Sequence, residues 1–120
     1  ALDAFIRMIG PEPDQVETSL ALGHFFRRRG EVDKAIRVHQ NLVAKPGLTF
    51  IQRRQALLEL AQDYFKAGVY DRAESIFLEL VDSQSGSKEI SLRSLIDIYE
   101  REKDWTKAIQ MAQQLQSTTG

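Results

Sequence analysis

Few side chains in this sequence could carry out acid–base or metal chemistry. His24 and His39 are its only histidines, and neither belongs to an HExxH pattern or to a cluster of acids and histidines with metal-ligand spacing. His39 falls at a position that the repeat pattern described below assigns to the core, so we expect a buried histidine there and not a ligand. His24 is expected on an exposed face. The sequence predicts no metal and no cofactor.

Nucleophiles and acid–base pairs are also missing from the pattern. The chain has no cysteine, which excludes thiol nucleophiles, zinc-thiolate sites and disulfides. It contains no glycine-rich phosphate loop, and no serine or threonine has a base at a recognisable spacing. Most carboxylates are expected to lie solvated on helix surfaces, without an acid–base couple: Glu17, Glu31, Asp33, Glu59, Asp63, Asp71, Glu74, Glu79, Asp82, Asp97, Glu100, Glu102 and Asp104. We predict that the chain is not an enzyme.

The net charge and the hydropathy of the chain argue against nucleic acid and membranes as binding partners. The net charge is −1 over 120 residues, so no overall field attracts nucleic acid or anionic membrane. No apolar run is long enough to span a membrane, and the beginning of the chain has no signal-peptide pattern. Two clusters of basic residues, Arg27–Arg29 and Arg53–Arg54, can be interpreted in two ways. Either Arg27–Arg29 stabilise the C-terminus of a helix, or the arginines form an anion-binding rim. Nucleic acid is disfavoured because acidic residues interleave with them and no aromatic platform accompanies them.

Regularly spaced small residues show which elements must position these groups. Gly23, Gly30, Ala35 and His39 are followed 38 residues later by Ala61, Gly68, Ala73 and Phe77, and 35 residues after those by Ile96, Lys103, Ala108 and Ala112. Ala1, Phe5 and Pro13 fit the same frame at the start of the chain. Periods of this length are typical of helix-pair solenoids. The longer first spacing predicts an extra helical turn, which we assign to the segment after Thr49.

Helix start and stop signals divide the chain into about seven helices. The predicted ranges are 1–9, 15–29 (with Asp14 and Glu17 as a capping box), 32–44, 50–67 (with Thr49 and Gln52 as a capping box), 70–82, 88–101 and 105–116. Gly30 and Gly68 are expected to end their helices in the left-handed conformation. The inward positions are predicted to be Leu22, Gly23 and Phe26; Ala35, Ile36, His39 and Leu42; Ala73, Ile76, Phe77 and Leu80; Leu92, Leu95, Ile96 and Tyr99; and Ala108, Ile109, Ala112 and Leu115.

Small residues at Gly23, Ala35, Ala61, Ala73 and Ala108 alternate along the chain with large residues at Phe5, Phe26, Tyr64, Phe77 and Tyr99. This alternation resembles the pattern of the tetratricopeptide repeat. The resemblance implies an all-α, right-handed superhelical solenoid of antiparallel helix pairs. We expect one domain over 1–120, with a half repeat at 1–13 and repeats at about 14–47, 49–86 and 87–120. The chain departs from the family pattern at His39, Ala112, Lys103, Gly47 and Ser85. The half repeat at 1–13 contains only the second helix of a pair, so we interpret the chain as a fragment of a longer protein. We expect the face that the missing helix would cover to be exposed and to favour self-association.

In tetratricopeptide arrays the first helix of each pair lines the concave groove, and this implies a binding face. The predicted groove residues are Leu20, His24, Arg27, Arg28, Leu58, Gln62, Phe65, Lys66, Ile90, Arg93, Asp97 and Arg101. An apolar stripe flanked by arginine and lysine suits an acidic, partly apolar segment of another protein. Neighbouring repeats or a chain terminus could cover the stripe instead. The lysine–asparagine clamp by which some family members hold chaperone tails is absent.

Residues between the frame positions resemble a narrower family, bacterial lipopolysaccharide assembly protein B. The segments 26–40, which include Gly30-Glu31-Val32-Asp33, and 63–74 carry the resemblance, together with Leu48-Thr49 and Gln52-Arg53. It implies a regulatory adaptor in lipopolysaccharide synthesis that links a membrane-bound ATP-dependent protease to an enzyme of the lipid A pathway. The full-length protein would lie on the cytoplasmic side of the bacterial inner membrane. Its membrane helix and four-cysteine metal module would be absent from this soluble fragment.

Two classes of function therefore remain. The chain is predicted to be a protein-interaction module of such an adaptor. The alternative is the helical-repeat part of a glycosyltransferase-type enzyme, which would need a nucleotide-sugar site that the sequence does not show.

Overall fold

The computed structural model describes residues 12–82 and 86–119 of the 120-residue chain. Within these ranges the chain forms six helices and no strand: α1 (Pro13–Arg28), α2 (Val32–Val43), α3 (Phe50–Ala67), α4 (Tyr70–Val81), α5 (Lys88–Arg101) and α6 (Trp105–Thr119). The expected all-α fold is confirmed. The predicted helix over 1–9 lies outside the described residues, as does Ser85.

The ends of α3 follow its sequence signals. The Thr49 side chain accepts a hydrogen bond from the Gln52 amide at 3.1 Å, and the Gln52 side chain accepts one from the Thr49 amide at 2.9 Å. This is the predicted capping box. Gly68 ends the helix with φ of 78°, where glycine avoids the strain that a Cβ atom would bring. The extra turn expected before the repeat frame is therefore present in α3, which has 18 residues.

The start of α1 differs from the prediction. The helix begins at Pro13, and its N-cap residue Glu12 makes no side-chain capping bond. The predicted capping box at Asp14 and Glu17 is wrong. Proline explains the earlier start, because its fixed φ suits the first helical position and its missing N–H is not needed there.

Lys103 occupies the left-handed position after α5 that glycine takes after α1. Its φ is 61°, and it is the only residue other than glycine with a positive φ in the described ranges. The Lys103 amide donates to the Glu100 carbonyl at 3.1 Å, and the Asp104 amide donates to the Tyr99 carbonyl at 2.8 Å. This pair of bonds is the Schellman motif. The turn is thus retained without its glycine, at a conformational cost to the folded state.

The chain divides into two compact units between Gly68 and Val69. In the first unit, Val16, Leu42 and Ala56 form a buried cluster against which Leu20 and Leu48 pack. Their positions bring the start of α1, the end of α2 and the start of α3 together, so α2 runs antiparallel to both neighbours.

In the second unit, the core contains Phe77, Leu80, Leu92 and Leu95, all fully buried. Tyr99 joins the elements at one end of this unit. Its hydroxyl donates to Glu74 of α4 at 2.5 Å, and the Lys107 amine of α6 lies 5.6 Å from the centre of its ring. The end of α5 is therefore close to the starts of α4 and α6, as consecutive antiparallel helices require.

Three predicted core positions are wrong. Leu22 and Ile109 are 43% and 57% exposed, and Ala112 is also exposed. They lie on α1 and α6, the first and last described helices, which turn one face away from the other described helices of their own units. Val16 and Met111, which we did not predict, are buried instead.

The described helices do not include one that is both long and apolar enough to cross a membrane.

Candidate functional site

Arg27 is the centre of a polar network that joins the three described helices of the first unit. Its guanidinium donates to the Asp63 carboxylate at 2.9 Å, to the Glu59 carboxylate at 3.2 Å and to the Glu59 carbonyl at 3.3 Å. The Arg27 side chain is only 12% exposed. Separating a partly buried arginine from its carboxylates would leave buried charges unpaired, which costs free energy. The ion pairs of Arg27 therefore hold α1 against α3.

His39 of α2 completes the network from the other side of Asp63. Its Nδ1 is hydrogen-bonded to the second Asp63 oxygen, and both side chains are fully buried. An ionised carboxylate only accepts hydrogen bonds, so Nδ1 carries the proton and donates it to Asp63. The prediction of a buried core histidine is confirmed. One carboxylate thus connects α1, α2 and α3, since it accepts from both Arg27 and His39.

Gly23 is the close-approach point that makes room for this histidine. A Cβ atom on Gly23 would lie 2.1 Å from Nε2 of His39 and 2.4 Å from Cε1, distances at which atoms overlap. Nε2 has no hydrogen-bond partner among the described residues, so this edge of the ring simply packs against the backbone of α1. Glycine is required here by space and not by an unusual φ.

The expectation that the carboxylates are solvated is wrong for part of the set. Asp63 is fully buried, Glu59 is mostly buried, and Glu74 accepts the Tyr99 hydrogen bond. The sequence contained a signal that we missed. Asp63 follows the buried Leu60 by three positions and directly precedes the buried Tyr64, so it falls on the inward face of α3.

Two further cations cap helix ends in the first unit. The Lys66 amine donates to the Arg27 carbonyl at 2.8 Å, near the C-terminus of α1. The Arg53 guanidinium donates to the Val43 carbonyl at 3.3 Å, at the C-terminus of α2. Cations are favourable at these positions, where carbonyl groups lack helical partners. Of the predicted groove cations in this unit, Arg27 and Lys66 therefore have structural contacts.

Arg28 and His24 are the predicted groove residues of α1 that remain accessible. His24 is 49% exposed, with Nδ1 3.0 Å from the Arg27 guanidinium. Arg28 is exposed and makes no hydrogen bond or ion pair within the described residues. Together with Phe25 and Arg29 they line an open cleft of about 350 Å³.

The other predicted groove residues of this unit are partly buried. Leu20 packs against the core cluster of Val16, Leu42 and Ala56, while Leu58, Gln62 and Phe65 of α3 have intermediate exposure.

On α5 the four predicted groove residues share one exposed face. Ile90, Arg93, Asp97 and Arg101 follow one another at intervals of three or four residues, and all are exposed. Arg93 donates to Glu89 at 3.1 Å, and Arg101 donates to Asp97 at 2.8 Å. The hydrogen bond that Arg101 donates to the Asp97 carboxylate raises the pKa of Arg101. These pairs are within one exposed helix, where each contributes little to stability, and Arg101 also interacts with Tyr70 of α4.

Within residues 12–82 and 86–119, no group of three or more histidine, aspartate and glutamate side chains is placed to hold a metal ion. Burial and the hydrogen bond to Glu74 raise the pKa of Tyr99. That hydroxyl lies inside the second unit as a structural group.

The fold and the exposed helix faces define a class of helical-repeat binding protein, and comparison with known families specifies it. Two family models, both of the tetratricopeptide repeat, match residues 18–48 and 55–87. Together they cover just over half of the chain. The chain belongs to the tetratricopeptide-repeat family.

The similar full-length proteins carry one name. The chain is 44% identical over 115 residues to lipopolysaccharide assembly protein B of Escherichia coli K12, and 39% identical over 123 residues to the protein of that name from Haemophilus influenzae Rd. The alignments include 96% of this chain, but only 29% and 31% of those proteins. The resemblance inferred from the sequence is confirmed, and this chain spans less than a third of the length of these relatives.

Proposed function

We propose that this chain is the protein-binding part of a non-catalytic adaptor that regulates lipopolysaccharide synthesis. In this proposal its repeats connect a membrane-bound ATP-dependent protease with an enzyme of the lipid A pathway. The longer protein acts at the cytoplasmic side of the bacterial inner membrane. The names of the similar proteins support the pathway, and the tetratricopeptide repeats support a binding role.

The exposed face of α5 is the observation on which the proposal rests. Ile90 supplies an apolar anchor that is 43% exposed. Arg93 and Arg101 supply cations at one and three turns from it, with Asp97 between them. A stripe with this spacing suits a partner segment that alternates acidic and apolar side chains. On binding, Arg93 and Arg101 would exchange their ion pairs with Glu89 and Asp97 for ion pairs with acidic side chains of the partner. Arginine is one of the residue types that contribute most of the binding free energy in protein interfaces.

The first unit contributes a second, more limited surface to the proposal. His24 and Arg28 of α1 are accessible, and Leu58, Gln62 and Phe65 of α3 are half-buried. Arg27 and Lys66 act indirectly, because the network and the helix cap that they form hold α1 against α3. Charge reversal at Arg27 would therefore disturb the fold as well as binding, so it is unsuitable as a test of the interface.

A binding experiment with α5 variants tests the proposal. The double substitution Arg93→Glu and Arg101→Glu should weaken binding to the protease or to the lipid A pathway enzyme at least about tenfold, equivalent to about 1.4 kcal/mol. Arg37→Glu is the matched control, because Arg37 is an exposed arginine on the second helix of a pair. It should bind like the wild type. Surface plasmon resonance with each purified candidate partner measures both. Wild-type protein that binds neither partner, or α5 variants that bind normally, would refute the proposal.

A further inference from the structure

The extra turn at the start of α3 carries the most exposed large apolar side chains of the described residues. Phe50 is 69% exposed and Ile51 is 67% exposed. The turn is an addition to the repeat frame, and Leu48 just before it already returns to the core cluster. Two exposed apolar residues therefore begin a turn that is additional to the repeat frame. Exposed apolar side chains grouped in this way indicate a contact surface.

The turn presents these side chains in a fixed position. The reciprocal bonds between Thr49 and Gln52 define where α3 begins. Behind the Phe50 ring lies the Arg54 guanidinium, 5.2 Å from the ring centre, and Arg54 itself is only 8% exposed. A cation against the inner side of an aromatic ring favours one ring orientation. Phe50 is thus held by a contact within the chain, and Ile51 is exposed next to it.

The charge of the surrounding sequence has one sign. Residues 34–58 contain Lys34, Arg37, Lys45, Arg53 and Arg54 and not a single aspartate or glutamate, although the whole chain has a net charge of −1. Lys45 precedes the extra turn and Arg53 is its last residue, and both are exposed. Asp14 of α1 borders the same open cleft as Lys45, but no ion pair joins them. Lys45 is therefore available to an anionic surface, and Arg53, which also donates to the Val43 carbonyl, adds a second exposed cation beside the apolar pair.

We propose that the extra turn, residues 50–53, docks on the surface of an anionic phospholipid bilayer. Phe50 and Ile51 enter the interface between headgroups and acyl chains, and Lys45 and Arg53 bind the lipid phosphates while their aliphatic stems follow the apolar pair. Adjacent apolar residues at one helix end suit a bilayer better than a protein partner, whose anchors are spaced along a helix face. The proposal revises our expectation that membrane contact comes only from parts outside this chain.

Vesicle flotation of the 120-residue chain tests this docking. Wild-type protein should float with vesicles of phosphatidylcholine mixed with phosphatidylglycerol, and much less with phosphatidylcholine alone. The double variant Phe50→Gln and Ile51→Gln should lower the partition coefficient about tenfold or more. The variant Lys45→Gln and Arg53→Gln should lower it by a similar factor on anionic vesicles, as should added salt. Circular dichroism verifies that each variant stays helical.

Two controls separate this surface from others. Ile109→Gln removes an exposed isoleucine from α6 and should float like the wild type, as should the α5 variant of Arg93 and Arg101. An equal loss with Ile109→Gln would overturn the assignment to the extra turn. Equal flotation on neutral vesicles, no flotation of the wild type, or sedimentation showing that Phe50 and Ile51 join two copies of the chain would each overturn the proposal. Normal flotation of the α5 variant keeps this result independent of the proposed protein partners.

Discussion

Replacing Gly23 by alanine sets two opposing effects against each other. In an ordinary helix interior, replacing glycine by alanine raises the free energy of unfolding by about 1 kcal/mol, because alanine loses less backbone entropy on folding. Here the new Cβ atom would lie 2.1 Å from Nε2 of His39. The ring has no empty space to enter, since it is fully buried and its other edge is bound to Asp63. The substitution must therefore separate α1 from α2 or break the bond between His39 and Asp63.

Both responses cost more than the gain in helix propensity. Overpacking a core costs about 1–3 kcal/mol, and a hydrogen bond to an ionised group contributes about 1.5–3 kcal/mol. We expect Gly23→Ala to lower the free energy of unfolding by about 2–4 kcal/mol. For a chain of this size each kcal/mol changes the melting temperature by about 4 °C, so thermal denaturation followed by circular dichroism would detect the loss easily.

A double-mutant cycle assigns the effect to the histidine. In a His39→Ala background the clash is gone, so Gly23→Ala should become neutral or stabilising by about 1 kcal/mol. Gly86→Ala serves as the control in the wild type, because no atom lies within 4 Å of a Cβ placed there. An unchanged or higher melting temperature for Gly23→Ala in the wild type would refute the close approach of α1 and α2.

Three other substitutions test separate features by chemical denaturation. Lys103→Gly should stabilise by about 0.5–1 kcal/mol, because glycine adopts the left-handed conformation without strain. Asp63→Asn should destabilise by about 3–5 kcal/mol, because it removes the fully buried negative charge that accepts from both Arg27 and His39 and leaves Arg27 paired with Glu59 alone. Tyr99→Phe should cost about 1–2 kcal/mol through the lost bond to Glu74. It should also change the pH dependence. The folded-state pKa of Tyr99 is raised above its ordinary value of 10.0, so its stabilisation is complete below about pH 10 and declines at higher pH.

Each of these predictions has a result that would contradict it. Lower stability of Lys103→Gly would mean that the lysine side chain makes a stabilising contact. Asp97→Asn is the exposed control for Asp63 and should change stability by less than about 0.5 kcal/mol. Equal effects of the two substitutions would rule out a special role for the buried carboxylate. If Tyr99→Phe loses stability above pH 10 as steeply as the wild type does, Tyr99 is not the titrating group.

The boundaries of most helices could be predicted from neighbouring residues. Thr49 and Gln52 start α3, and Gly68 ends it, because capping bonds and left-handed turns involve residues within one turn of each other. The early start of α1 at Pro13 was missed because two local signals competed. The inward positions were predictable where a helix has neighbours on both sides, as at Phe77 and Leu80. They failed at Leu22 and Ile109, where the helix face has no described neighbour in its own unit.

The candidate binding residues likewise include some whose positions could be predicted from the sequence and others whose contacts could not. The exposed stripe of α5 follows from helix periodicity, so Ile90, Arg93, Asp97 and Arg101 could be placed on one face in advance. The roles of Arg27 and Lys66 could not. Their positions indicate an exposed face, but their long side chains extend to acceptors on another helix, and a sequence pattern does not specify how far such a side chain extends.

The sequence by itself determined the all-α repeat, the family, the register of the small residues and the burial of His39. These depend on periodicity and on capping within a few residues. Only the tertiary structure decided that Asp63 is buried between Arg27 and His39, which are 36 and 24 positions away from it. The physical reason is that a carboxylate is stable inside a protein only when hydrogen-bond donors surround it. Those donors come from helices that meet only when the chain is folded.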